Sequence, residues 1–316
     1  MKIALVLGSG GARGYAHIGV IEELHARGHE VVAVSGCSMG ALVAGLLAAG
    51  ALDDYTRFAK ELSRKEVLRY ADVTLSPSGF LRAGKLMSVL EDMVGDVRIE
   101  DLPIPYTAVA TDIERRREVW LREGLLVPAM RASFSIPTVF TPVRIDGRLL
   151  VDGGVLNPLP MEPALQEDAE LSIGVSLFGR RLGLDPSSPD HGASADKDDA
   201  GWRWPNLTQR VRNLLPPLPL TNRANPGHSG DPDTNTTLLQ NALRRQDTNM
   251  SAFTMMSTTL DIMQGQIEQG RTAMNRPDVA VSIPTETCEV FDFHEAERVI
   301  EVGRSIARDT FDRVGL

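Results

Sequence analysis

Two short apolar runs open the chain, residues 2–7 and 31–34, each long enough for one buried strand. Between them Ile18, Ile21 and Leu24 recur at helical spacing, so residues 15–27 predict a helix. The second run ends in Gly36-Cys37-Ser38-Met39-Gly40, and the Ala/Leu-rich stretch after it has the composition of a buried helix. Strand, glycine loop, helix, strand, sharp turn, helix is the order of a right-handed βαβ unit in a parallel sheet.

Farther along, residues 53–70 and 86–94 predict helices, separated by a loop at 73–83. Residues 106–111 predict a strand that 118–122 can pair with, and 126–133 a short helix. Asp146-Gly147 between the runs 140–145 and 148–151 signals a hairpin. Residues 171–177 and 279–283 predict further strands, 238–263 a long helix and 294–314 a closing helix. The expected fold is α/β, with a mainly parallel central sheet.

Composition shifts at Phe178. Residues 179–236 are rich in Pro, Asp, Ser, Asn and Gly, yet Trp202, Trp204 and the run 214–220 are too apolar for a pure linker. The expected organisation is a core at 1–178, an insertion at 179–236 that forms a flap or stays disordered, and 237–316 completing the same domain. Apolar residues in the insertion could serve lipid docking or formation of a homo-oligomer equally well.

A net charge of −9 argues against nucleic acid as a partner and against strong attraction to anionic membranes. Cys37 and Cys288 are the only cysteines, which fits a reducing compartment. The first apolar run is too short for a signal peptide and enters a glycine loop, and no apolar stretch approaches the roughly 18–20 residues of a membrane span. The expected location is cytoplasmic, with at most peripheral contact at a membrane.

Gly36-x-Ser38-x-Gly40 between a strand and a helix is the pattern of a nucleophile elbow. A serine on so sharp a turn needs side-chain-free neighbours, and the helix N-terminus behind it favours developing negative charge. Gly8-Ser9-Gly10-Gly11-Ala12-Arg13-Gly14 lacks the last glycine and the later acid of a dinucleotide fingerprint. Its backbone N–H groups could instead face an oxyanion, with Arg13 adding charge or orienting a phosphate head group.

None of the six histidines has a motif supporting a triad, and only about 35 residues precede Ser38, too few for the α/β-hydrolase order. Asp152, in Asp152-Gly153-Gly154 at the end of an apolar run, could act as a general base hydrogen-bonded directly to a serine.

With these residues assembled, the chain resembles the patatin-like phospholipase family in its compact bacterial form. The matching pieces are the glycine loop with His17-Ile18-Gly19-Val20, the elbow, Arg131-Ala132-Ser133-Phe134-Ser135-Ile136-Pro137, and Asp152-Gly153-Gly154-Val155-x-Asn157-Pro158-x-Pro160. They span roughly residues 1–178 in the family's order. The resemblance implies a three-layer α/β/α patatin-like fold and a Ser38–Asp152 dyad without histidine. It also implies an oxyanion hole from Gly10, Gly11, Ala12, Arg13 and Gly14, supported by Gly36, Gly40, Gly153 and Gly154. The implied activity is hydrolysis of acyl lipids, with no cofactor, no metal, and transient contact with a membrane surface. The family usually has Thr before the serine, where this chain has Cys37. The competing expectation is a non-catalytic module that binds lipid or protein on the same fold.

Overall fold

The computed structural model describes residues 1–71, 73–76, 79–179 and 252–316. The expected insertion, with Trp202, Trp204, His191 and His228, lies outside the described residues, as does 238–251 of the expected long helix.

Strand β1 (Lys2–Leu7) enters the glycine loop, a 3-10 turn (Gly11–Tyr15) and helix α1 (Ala16–Ala26). Strand β2 (Glu30–Cys37) then delivers the elbow to helix α2 (Met39–Ala48), of which every residue is buried. Helices α3 (Leu52–Glu61) and α4 (Arg64–Ala71) replace the single helix expected at 53–70. The break falls at Ser63, whose hydroxyl receives the Glu66 amide while the Glu66 carboxylate accepts from the Ser63 amide, a capping box that restarts the helix.

The expected loop after α4 contains two short strands, β3 (Val73–Ser76) and β4 (Gly79–Leu81), before α5 (Gly84–Val94). They form in this loop because β4 finds a partner distant in sequence. Strand β5 (Tyr106–Asp112) pairs with β6 (Arg117–Leu121), and α6 (Leu126–Ser133) leads to β7 (Thr138–Phe140), that parallel partner. Strands β8 (Val143–Ile145) and β9 (Arg148–Asp152) form the expected hairpin, with positive φ at both Asp146 and Gly147. A short helix α7 (Met161–Ala164) and strand β10 (Leu171–Gly179) follow. After the undescribed segment come α8 (Ala252–Met274), β11 (Val279–Pro284) and α9 (Ala296–Val314). Helix α8 runs eleven residues past the expected end at Met263, through Gly265 and Gly270, because polar anchors on its inner face hold it to the core.

The main sheet has the order β11-β10-β1-β2-β5-β9-β8, with β6 also on β5. Pairings from β11 to β5 are parallel, and those of β9 with β5 and β8 are antiparallel. This mixture places the site. Cys37, at the end of β2, is level with Val109 of β5, and Asp152, at the end of β9, is level with Ala110. Ser38 and Asp152 thus leave the sheet at one level on either side of β5, having arrived from opposite directions.

Candidate active site

Ser38 has φ 56° and ψ −123°, a conformation a side chain adopts at a cost of about 1–3 kcal/mol. The surroundings enforce it. A Cβ on Gly36 would stand 2.5 Å from the Gly40 backbone, and one on Gly40 would stand 2.1 Å from the Leu7 carbonyl oxygen. Strand and helix touch there, so both elbow glycines are sterically required. The Ser38 amide donates to Ser133 Oγ at 2.9 Å, and that hydroxyl donates to the Val109 carbonyl at 2.6 Å. Helix α6 therefore clamps the elbow to β5.

Asp152 is 1% exposed. Its Oδ1 accepts the Gly154 amide at 2.7 Å and faces Cys37 Sγ at 3.8 Å, and its own amide donates to the Ser135 carbonyl at 2.9 Å. Oδ2 is buried with no hydrogen bond of ordinary length. Burial pushes the carboxyl up to about 6, and the Ser38 side chain, the Gly154 amide and the Cys37 thiol each pull it partly back. Burial, and then the charge of Asp152, also pushes the Cys37 thiol well above its usual value, so Cys37 is a neutral neighbour.

The glycine loop divides into parts with different roles. Gly10 and Gly11 line a small cleft together with Ser38 and Asp152. The Ala12 amide already donates to the Val290 carbonyl at 2.9 Å, and Arg13 and Gly14 lie inside the 3-10 turn. The Arg13 guanidinium is 1% exposed, bonded to the carbonyls of Gly10 and Leu177 and to Asp261, and stacked over Phe178. It is therefore not turned toward a head group, contrary to the expectation for it. Of the five loop residues expected to build the oxyanion hole, Gly10 and Gly11 line the cleft. His17 is fully buried, its Nε2–H donating to the Gly8 carbonyl at 2.8 Å, and burial lowers it to about 4. It is a neutral brace for the loop.

The far wall of the cleft belongs to α8, through Ser257, Leu260, Asp261 and Gln264. This wall, like the Ser133 clamp, was missed from the sequence alone. Its signal is a stripe of polar residues at helical spacing, which ordinarily marks a solvent face. Here the stripe faces inward. Glu268 on it is buried, with burial raising its carboxyl to about 7 against the Ser176 hydroxyl and Arg13. Among the described residues no three His, Cys, Asp or Glu side chains converge as metal ligands, and no helix is long and apolar enough to cross a membrane.

The patatin-like phospholipase family model matches residues 5–165. NTE family proteins of Mycobacterium bovis and Mycobacterium tuberculosis are 39% identical over 98% of this chain and 91% of theirs. Neuropathy target esterase sws of Drosophila melanogaster is 33% identical over 69% of this chain, but only 15% of that protein is covered. Among solved structures, VipD from Legionella pneumophila aligns at a TM-score of 0.41 and 13% identity, over 99% of this chain and 66% of that one. On the family match and the near-full-length identity, the chain belongs to the patatin-like phospholipase family.

Proposed function

We propose that the protein is a serine acyl hydrolase that cleaves fatty-acyl esters of phospholipids or lysophospholipids through a Ser38–Asp152 dyad. Asp152 takes the proton of Ser38 Oγ as the oxygen attacks the ester carbonyl. The amides of Gly10 and Gly11 hold the oxyanion, aided by the N-terminus of α2. Collapse of the tetrahedral intermediate returns the proton from Asp152 to the leaving alcohol and leaves an acyl-serine. Water, deprotonated by Asp152, then releases the fatty acid and regenerates Ser38. The scheme uses no metal ion, so activity is expected to survive a chelator.

The observation that carries this reading is the shared cleft: a strained serine, a buried carboxyl raised to about 6, and two loop glycines. Contact with a lipid surface is part of the proposal. Met255, Met256, Ile262 and Met263 are exposed on the outer face of α8, the helix that walls the cleft.

The test is intact-mass analysis after fluorophosphonate treatment of wild type, Ser38→Ala and Asp152→Asn, with and without lipid vesicles. One adduct on wild type, absent in Ser38→Ala and strongly slowed in Asp152→Asn, is expected. A well-folded wild type that takes no adduct under either condition leaves the non-catalytic binding module as the function.

A further inference from the structure

The inward stripe of α8 runs Ser257, Asp261, Gln264, Glu268 and Arg271, with Asn275 just past its end. Asp261 pairs with Arg13, Glu268 is buried beside Ser176, and Arg271 and Asn275 both reach Glu162. Gln264 differs from these. Its Oε1 accepts from Ser9 Oγ at 3.0 Å, which fixes the carboxamide, while its Nε2 makes no hydrogen bond among the described residues. That nitrogen lies 2.8 Å from the point where a Cβ on Gly154 would stand, and Asp152 Oδ1 lies 3.0 Å from the same point. An amide donor, anchored at one end, therefore stands in the cleft on the Asp152 side.

The side decides what it can touch. In the acyl transfer, the carbonyl oxygen turns toward Gly10 and Gly11, while the proton on Asp152 must reach the oxygen of the leaving alcohol. The alcohol part of the ester consequently lies beside Asp152, on the flank where Gln264 stands. We infer that Gln264 is a substrate-orienting residue that donates a hydrogen bond to an oxygen of the alcohol part, selecting esters of oxygen-rich alcohols such as glycerol over esters of plain alkanols. Ser9 holds this donor in place. The assignment rests on the acyl-hydrolase reading above and adds to it the residue that reads the leaving group.

Glyceryl monobutyrate and n-butyl butyrate share an acyl group and differ only in the alcohol. The quantity to measure is the ratio of their kcat/KM values, on the full chain, for wild type, Gln264→Leu and Ser9→Ala. Wild type is expected to favour the glycerol ester. Gln264→Leu should lower the ratio about tenfold and Ser9→Ala about threefold, the scale of one neutral hydrogen bond lost or loosened. Equal losses on both esters, which a merely structural role would produce, or an unchanged ratio, overturn the inference. A wild type that turns over neither ester and takes no fluorophosphonate overturns the hydrolase reading, and this inference with it. The labelling separates that outcome from failure of the Gln264 assignment alone.

Discussion

Ser133 holds Ser38 by its backbone: the Ser133 hydroxyl accepts from the Ser38 amide and donates to the Val109 carbonyl. A residue from α6 thus keeps Ser38, which caps the N-terminus of α2, in register with β5. Ser133→Ala leaves a buried amide and a buried carbonyl unpaired, so it should cost about 1–3 kcal/mol of stability. Denaturant titration measures that cost. Fluorophosphonate labelling should slow about tenfold or more as the turn relaxes, on the scale of a 1.4 kcal/mol barrier change. Labelling at the wild-type rate would show that the elbow holds itself.

In the proposed mechanism Asp152 sets the acid limb of activity. As a general base it works only ionised, so kcat/KM should rise with pH through about 6 and level off above. The stability effect has the opposite sign. A carboxyl raised from 3.8 contributes stability below pH 4 that is lost as pH climbs through about 6. Asp152→Asn should therefore abolish the acid limb, lose about 1,000-fold or more in rate, and melt higher than wild type at pH 8.

Glu268 offers a cleaner test of the same sign, because the proposed chemistry does not use it. Its carboxyl is raised from 4.5 to about 7, so its ionisation above pH 7 opposes folding. Glu268→Gln should stabilise by about 1–3 kcal/mol at pH 8 and much less at pH 5, where the wild-type side chain is already protonated. Thermal melts at the two pH values decide it. Equal effects at both would place the carboxylate in contact with water.

Gly40 meets backbone, not a side chain that can move. Gly40→Ala drives a methyl into the Leu7 carbonyl, so strand and helix must separate. A loss of about 3 kcal/mol or more is expected, read as a lowered denaturant midpoint or as insoluble protein.

Much of this was legible in the chain because the informative residues act locally. Gly36 and Gly40 announce a turn only they can make, Asp146-Gly147 announces its hairpin, and the alternation of apolar runs announces parallel strands. What was not legible depends on partners distant in sequence. Val73–Ser76 and Gly79–Leu81 become strands in a small sheet that only Thr138–Phe140 completes. Arg13 reads as a free cation until Asp261 closes on it from 248 residues away. The polar stripe of α8 reads as a solvent face because periodicity reports that one face differs, not which face is buried.

That stripe also sets how the cleft responds to its surroundings. Most elements of the domain are held by apolar burial, and their release carries a large heat-capacity rise and strong denaturant dependence. Helix α8 is attached largely through Asp261–Arg13, Gln264–Ser9 and Arg271 with Glu162 and Glu118. Those anchors are charged or polar, so ionic strength acts on them directly. The elbow, packed in the apolar core, answers to heat, and the wall above it answers to salt.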